Sequence, residues 1–558
     1  MRTVALANGA MTVGLDPQAR LSELRLARHG YRNLAESALH RVGVLVDGQL
    51  SWLGDDDWRI KTRLPQGALV AHTVAVNEAL GVLLEFDDFV AHDTPLFGRH
   101  IHVVNLRQTA RDVQLFLHQA FRLNPCGDDQ ARFLHETQTL LHYSGDLVCA
   151  VGAQSYDGRL FDQMTVGQFG RPGFDGTWRD AEDGQLSQHD HDRGQTDSTL
   201  RFTLGLSAYS STRLTYWLVV ADSLAQATAL SAQLSHAGLD LFLEKTVQHW
   251  QSWLRPAFKL AQRIKPTYRQ SFINSILAIK SHLDDGGAII TSLTRVECDL
   301  HEASYALWPL IRLGYQQEVV AFFEYCAGLC QRDGGWLVAR YRPDGSWHES
   351  IRWHKDQPVR HLKHPAAVLF MLCQFESFHS RALGQHDLYT RLAVPLADML
   401  SDWYGDTLVN GHDELYSLEL LRVALDQASR LAKKYDDADH MVKWRMLAEE
   451  IKGQIDRMTD GQMDSVASFY GSFMFGTANV DTARLSQLVQ AIQPRGVVEC
   501  LWIAQYYLET NDTPKAHEVA RHVLKRVITQ TGLINERGRQ SLWASAEYIN
   551  TLLDTITT

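Results

Sequence analysis

Between Val4 and about Val220, apolar and polar positions trade places over short stretches. Residues 68–76 and 113–121 alternate in part, and Gly, Asp and Asn separate the segments. A strand turns successive side chains to opposite faces, so a period of two predicts strands with one face toward a core. Residues 201–206 and 214–220 end the series. Many short strands punctuated by turn residues predict an antiparallel β-sandwich over residues 1–222.

After Asp222 the spacing of apolar residues widens to three and four. Leu230, Leu234, Leu239, Leu241 and Leu243 predict one helical stretch over 223–254, and Pro256 and Pro266 bracket a hinge. Residues 223–265 therefore read as a helical linker. From Tyr268 onward the helical period dominates. It predicts helices over 268–283, 302–313, 317–329, 365–379, 388–403, 415–434, 441–458, 498–508, 515–528 and 542–556. So many helices joined by loops of variable length predict a double ring over 266–558, with the loops of one face forming a pocket.

Composition narrows the function classes. The chain has 558 residues, 45% of them hydrophobic and 21% charged, enough to bury a large core and too long for one ordinary domain. A net charge of -11 argues against a nucleic-acid partner, which calls for clustered Lys and Arg. No apolar run reaches the roughly 18 residues of a membrane helix. The seven cysteines are scattered and form no C-x-x-C pair, and the first residues carry no secretory pattern, so a reducing, cytoplasmic setting is expected. A P-loop, a G-x-G-x-x-G turn and a G-x-S-x-G elbow are all missing from the sequence.

The helical half carries loops rich in Trp, His and acids. One contains Trp347 and His348, followed by Arg352 and Trp353. Aromatic faces beside hydrogen-bonding groups suit a sugar, whose C–H faces are apolar and whose edges are polar. Glu536 lies on a loop between two predicted helices, where a carboxylate can face the mouth of a helical ring. Asp413 and Glu414 stand where acids are ordinary at a helix N-terminus. His189 to Asp192 have the composition of a hard-metal site but read as a solvated loop.

Taken in order, these segments resemble glycoside hydrolase family 15, the glucoamylase, glucodextranase and trehalase group. The resemblance covers most of the chain. Leu6-Ala7-Asn8-Gly9 is similar to the family's opening strand, and Thr177-Trp178-Arg179-Asp180-Ala181-Glu182-Asp183-Gly184 to a rather specific family stretch. Gly287-Ala288-Ile289-Ile290-Thr291-Ser292 resembles "GAIIAS", and Tyr341-Arg342-Pro343-Asp344-Gly345-Ser346-Trp347-His348 resembles "YxxDGSWH". Gly532-Leu533-Ile534-Asn535-Glu536 resembles the loop of the catalytic base, and Trp543 begins the helix that follows. The resemblance implies a β-sandwich, a helical linker and an (α/α)6 barrel.

It also implies inverting hydrolysis of an α-glucoside, releasing glucose from the non-reducing end. One carboxylic acid protonates the leaving oxygen and one carboxylate activates water from the opposite face, the two carboxyl groups standing roughly 6.5–9.5 Å apart to leave room for that water. Glu536 matches the base. His301 and Glu302 stand where the family has the Arg-Asp that grips glucose, and His361-Leu362-Lys363-His364 stands in place of "QxDE". The acid, which in the family follows a Trp, falls at Asp406 by ungapped counting or at Glu414 with a gap. His301, Glu302, Trp347, His348, Arg352, Trp353 and Trp543 are the expected sugar-binding residues. No cofactor or metal is called for, since carboxyl groups can make both proton transfers. Two other readings stay open. One is a degenerate member that binds carbohydrate without hydrolysing it. The other is transfer to phosphate, with Arg352, Lys355 and Arg360 supplying the basic pocket.

Overall fold

The structure, a computed structural model, describes residues 3–35, 40–65, 67–351, 353–354, 357–358, 361–380, 387–406, 414–458, 470–471, 474, 485–486, 489–490, 496–536 and 539–557. An antiparallel β-sandwich is followed by helices and a helical barrel. By contact the chain divides into two units, Met1–Arg255 with Gln530–Gly532, and Pro256–Thr529 with Leu533–Thr558.

In the first unit a nine-stranded antiparallel sheet has Leu147–Ser155, Ser211–Ala221 and Leu96–Asn105 side by side at its centre. A six-stranded sheet is built around Arg111–Ala120 and Thr196–Leu206, and Val4–Ala7, Met11–Leu15 and Leu21–Leu26 form a third. Two of these central strands, Leu147–Ser155 and Ser211–Ala221, are buried on both faces over most of their length, and the helix Leu224–Ala237 packs on both. Its Ser231 accepts from Trp217 Nε1 at 3.0 Å. A strand covered on both sides loses the clean alternation of a half-exposed one, which is why residues 214–220 read as a nearly continuous apolar run.

Three local expectations are revised. The predicted helix over 223–254 is two, Leu224–Ala237 and Asp240–Trp253, broken at Gly238, whose φ of 80° no helix tolerates. His191–Gly194 is not loop but an edge strand paired with Asp129–Leu134, and His191 and Asp190 are exposed. Strand pairing here is carried by backbone groups, so the polar composition that suggested a loop does not oppose it. The stretch 388–403 opens as a π-helical turn, Tyr389–Ala393, before the helix Val394–Asp406.

The sandwich core holds two neutral histidines. His40 Nε2 lies 3.0 Å from the Ala120 carbonyl, and His142 contacts Ser198 and Thr196 at 2.8 and 3.2 Å. Burial pushes both down to about 3, with neighbouring His118 adding to the shift in each case. In the unfolded chain they take a proton near the ordinary value of about 6.5. Between those pH values the unfolded chain binds protons that the folded chain does not, so stability falls as pH drops, by up to about 1.4 kcal/mol per pH unit for each histidine. Urea midpoints measured from neutral pH down to about pH 5 are expected to fall steeply, and less steeply in His142→Gln. A flat profile would contradict the neutral burial.

In the second unit, Leu300–Leu313 lies against Lys363–Phe378 and Leu542–Thr557; Lys363–Phe378 continues to Glu414–Lys434, and Leu542–Thr557 to Val497–Glu509. These are the inner helices. Eleven of the fourteen residues of Leu300–Leu313 are buried, as befits a helix packed between two neighbours. Gln316–Arg332, Ala438–Met458 and Thr513–Val527 alternate with them in sequence and are amphipathic. Gly287, in the "GAIIAS"-like stretch, has φ of 88°, and a Cβ there would meet the Ala321 carbonyl oxygen at 2.1 Å. Only glycine satisfies both conditions. No described helix is long and apolar enough to cross a membrane.

Candidate active site

The inner helices of the second unit converge on a cavity of about 570 Å³, within the roughly 300–1,000 Å³ usual for small-molecule sites. Most of its lining comes from helix beginnings. Asp299, His301 and Glu302 open Leu300–Leu313, Lys363 and His364 open Lys363–Phe378, Tyr416 lies in the first turn of Glu414–Lys434, and Trp543 in that of Leu542–Thr557. Trp502, Arg340 and His361 complete the wall. Helix N-termini present unpaired N–H groups and partial positive charge, a setting that binds oxygen-rich ligands.

Asp299 organises one side. It is extended, at φ -78° and ψ 113°, and its Oδ1 accepts from the backbone N–H of His301 and Glu302 at 3.1 and 3.2 Å, capping the helix. Its Oδ2 accepts from Arg340 Nε at 2.9 Å, and His364 Nε2 lies 3.6 Å from Oδ1. Burial works to raise its pKa, but His364, His301 and Arg340 outweigh it and hold the carboxyl far below the usual range. Three residues on, Glu302 behaves oppositely. Burial first, then the carboxylates of Asp299 and Glu297, push it up to about 7 against the pull of Arg340 and Arg295. One carboxyl is thus fixed as an anion and its neighbour is poised to hold a proton.

Much of the remaining lining is aromatic. His301 is buried and pushed down to about 3 by burial and by His364, so its ring is neutral. Its Nε2 is 2.8 Å from the Tyr416 hydroxyl, which is 2.5 Å from that of Tyr305. Trp543 stacks on Tyr305 with centroids 5.2 Å apart, and Trp502 stacks on Tyr470 at 3.8 Å. Trp543 Nε1 donates to buried Glu547, which also accepts from Gln505. These rings are held by hydrogen bonds as well as packing, so they form a fixed wall.

Of the residues expected from the sequence, His301, Glu302 and Trp543 come together on this cavity. Trp347 and His348 have other partners. Trp347 Nε1 donates to Asp333 Oδ2 at 2.9 Å, and its ring packs between Trp336 and Trp353. His348 is buried against Ser350 and the Arg295 carbonyl. Trp353 is 58% exposed on a short hairpin. Glu536 is half-buried in the two-residue strand Asn535–Glu536, which pairs with Arg539–Gln540. Its Oε1 accepts from the backbone N–H of Val497 at 2.9 Å, at the start of the helix that carries Trp502. A Cβ on Gly496 would meet that oxygen at 2.6 Å, so the approach depends on glycine. Asp406 and Glu414 are the last and first residues of their helices, and their side chains lie outside the described residues, as do Arg352, Lys355 and Arg360.

Asp299, Arg340, His364 and Tyr416 were not singled out from the sequence as site residues. An Asp just before a helical apolar pattern is a cap signature, and this one pointed to Asp299. Of the other three, Arg340 opens the loop rich in Trp and His and His364 lies in the segment that stands in place of "QxDE"; nothing local marked Tyr416.

No protein-family model matches the chain, and no curated protein matches it. Among solved structures it is similar to a bacterial glucoamylase complexed with acarbose, with a TM-score of 0.76 and 12% identity, covering 100% of this chain and 94% of that one. It is also similar to a protein assigned as a kojibiose phosphorylase from the human microbiome, with a TM-score of 0.62 and 9% identity, covering 98% of this chain and 86% of that one. Both likenesses establish the fold, a β-sandwich followed by an (α/α)6 barrel of the glycosidase type. At such identities they carry no family membership and no activity.

Proposed function

We propose that the chain is an inverting glycoside hydrolase that takes a short α-glucoside into the cavity of its helical unit and releases glucose from the non-reducing end. The observation that carries this reading is the lining itself. A sugar-sized cavity in a barrel of glycosidase type gathers Trp502 and Trp543 with Asp299, Glu302 and Arg340 in one lining. Aromatic rings together with carboxyl and guanidinium groups match the apolar C–H faces and polar edges of a pyranose.

Glu536 is the proposed base. As a carboxylate it takes a proton from the water that attacks the anomeric carbon, while a carboxylic acid protonates the departing oxygen. The sequence offers Asp406 and Glu414 for the acid. No cofactor enters either transfer. The test is a proton-NMR screen of α- and β-linked glucose disaccharides. An α-linked substrate is expected to disappear with β-glucose as the first anomer formed. Release of α-glucose, or no cleavage of any disaccharide, would overturn the proposal.

A second reading, carbohydrate binding without hydrolysis, draws on the placement of Glu536 at a helix N-terminus rather than in the cavity lining. It predicts calorimetric binding of a disaccharide that stays intact.

A further inference from the structure

We propose that Glu302 is the catalytic acid, the group that protonates the departing glycosidic oxygen. The assignment rests on the hydrolase reading above and names its proton donor. It departs from the sequence-level expectation that Glu302 only helps to grip the sugar.

The argument begins with what surrounds the side chain. Glu302 lines the cavity from the first turn of Leu300–Leu313. Among the described residues its carboxyl has no hydrogen-bond or ion-pair partner, although two guanidinium groups are close enough to act on it. Each is already engaged elsewhere: Arg340 donates to Asp299 at 2.9 Å, and Arg295 pairs with Glu297. A carboxyl serving the fold would take one of those cations, as Asp299 does with its cap, its guanidinium and its imidazole. Glu302 is instead left facing the cavity beside two carboxylates that hold the available positive charge.

That arrangement selects the protonated form. The helix N-terminus favours an anion, but burial and then the neighbouring negative charges outweigh it and push the carboxyl up to about 7. A general acid must carry its proton at the working pH and still release it, which places its ideal pKa near that pH. Asp299, three residues away, is held as an anion and cannot serve.

The step balances without any further reactant. The Glu302 proton moves to the glycosidic oxygen. The bond from that oxygen to the anomeric carbon breaks, and its electron pair stays with the oxygen of the leaving alcohol. Water forms the new bond from the opposite face and gives its proton to Glu536. Proton exchange with solvent then returns Glu302 to the acid and Glu536 to the carboxylate.

The experiment separates an acid from a binding group by the leaving group. Glu302→Gln is compared with the unaltered protein on the α-linked disaccharide that it cleaves and on α-glucosyl fluoride, whose fluoride departs without a proton. Asp406→Asn and Glu414→Gln are run alongside. The acid assignment predicts that kcat on the disaccharide falls about a hundredfold or more in Glu302→Gln while fluoride hydrolysis stays within a few-fold. Glu302→Ala is expected to regain part of the disaccharide cleavage when imidazolium is added as an external acid. Equal loss on both substrates, no loss, or the selective pattern in Asp406→Asn or Glu414→Gln would overturn it. An unaltered protein that cleaves neither substrate would sink the hydrolase reading and this assignment together. Fluoride hydrolysis that survives in every variant, with disaccharide cleavage undiminished in Glu302→Gln, would leave the hydrolase reading standing without this acid.

Discussion

Glu536→Gln is expected to abolish turnover and leave the fold intact. The amide keeps an oxygen that can accept from Val497 N–H, the 2.9 Å bond that joins this loop to the start of Val497–Glu509, so the helix stays capped. What the variant loses is basicity: an amide cannot take a proton from water. A general base contributes about 10²–10⁴-fold, and an inverting enzyme has no covalent route around it. The expected result is a fall in kcat of at least about a thousandfold with an unchanged melting temperature. Glu536→Ala gives a contrast. It removes the acceptor as well as the base, so a loss of about 1 kcal/mol in stability joins the loss of activity. Measured side by side by kinetics and thermal denaturation, the pair separates the chemical role of this carboxyl from its capping role. Full activity in Glu536→Gln would remove it from the mechanism.

Asp299→Ala is expected to have the largest effect on the site's structure. It deletes the cap of Leu300–Leu313, the partner of Arg340 and the anion beside His364 in one change. The cap contributes about 1 kcal/mol. Leaving a buried pair uncompensated costs more, though Arg340 is partly solvated and part of its charge is screened. A loss of roughly 2–4 kcal/mol in chemical denaturation follows. Asp299→Asn isolates the electrostatic part, because the amide oxygen can still accept from the helix N–H groups. Its negative charge is one of two that raise the pKa of Glu302. Without it the Glu302 carboxyl ionises more readily, so the alkaline limb of the activity profile is expected to move to lower pH. An alkaline limb that stays in place would disconnect Asp299 from Glu302.

How far the sequence could be read follows from the range of each signal. The change of period near Asp222 is local, and so are the inner helices: the predicted 302–313 and 542–556 are the observed Leu300–Leu313 and Leu542–Thr557 within a few residues. The break at Gly238 was missed because the apolar spacing continues across it, and one positive φ outweighs that spacing. The strand at His191 was missed because backbone pairing ignores the polarity that suggested a loop. The cavity was the least legible part. Its lining is gathered from positions as far apart as Asp299 and Trp543, and no window of sequence holds them together.

The sequence by itself determined the two architectures and their order, because hydrophobic period acts over a few residues and survives in one chain. It also marked Glu302 as an acid near a sugar-sized pocket, through the motif position that it shares with His301. Only the tertiary structure decided the protonation of that acid. Which carboxyl is an anion and which holds its proton depends on Asp299, Glu297, Arg340 and the burial around them. Charge acts through space over a few ångströms, and the chain brings those groups within that range only when the barrel closes.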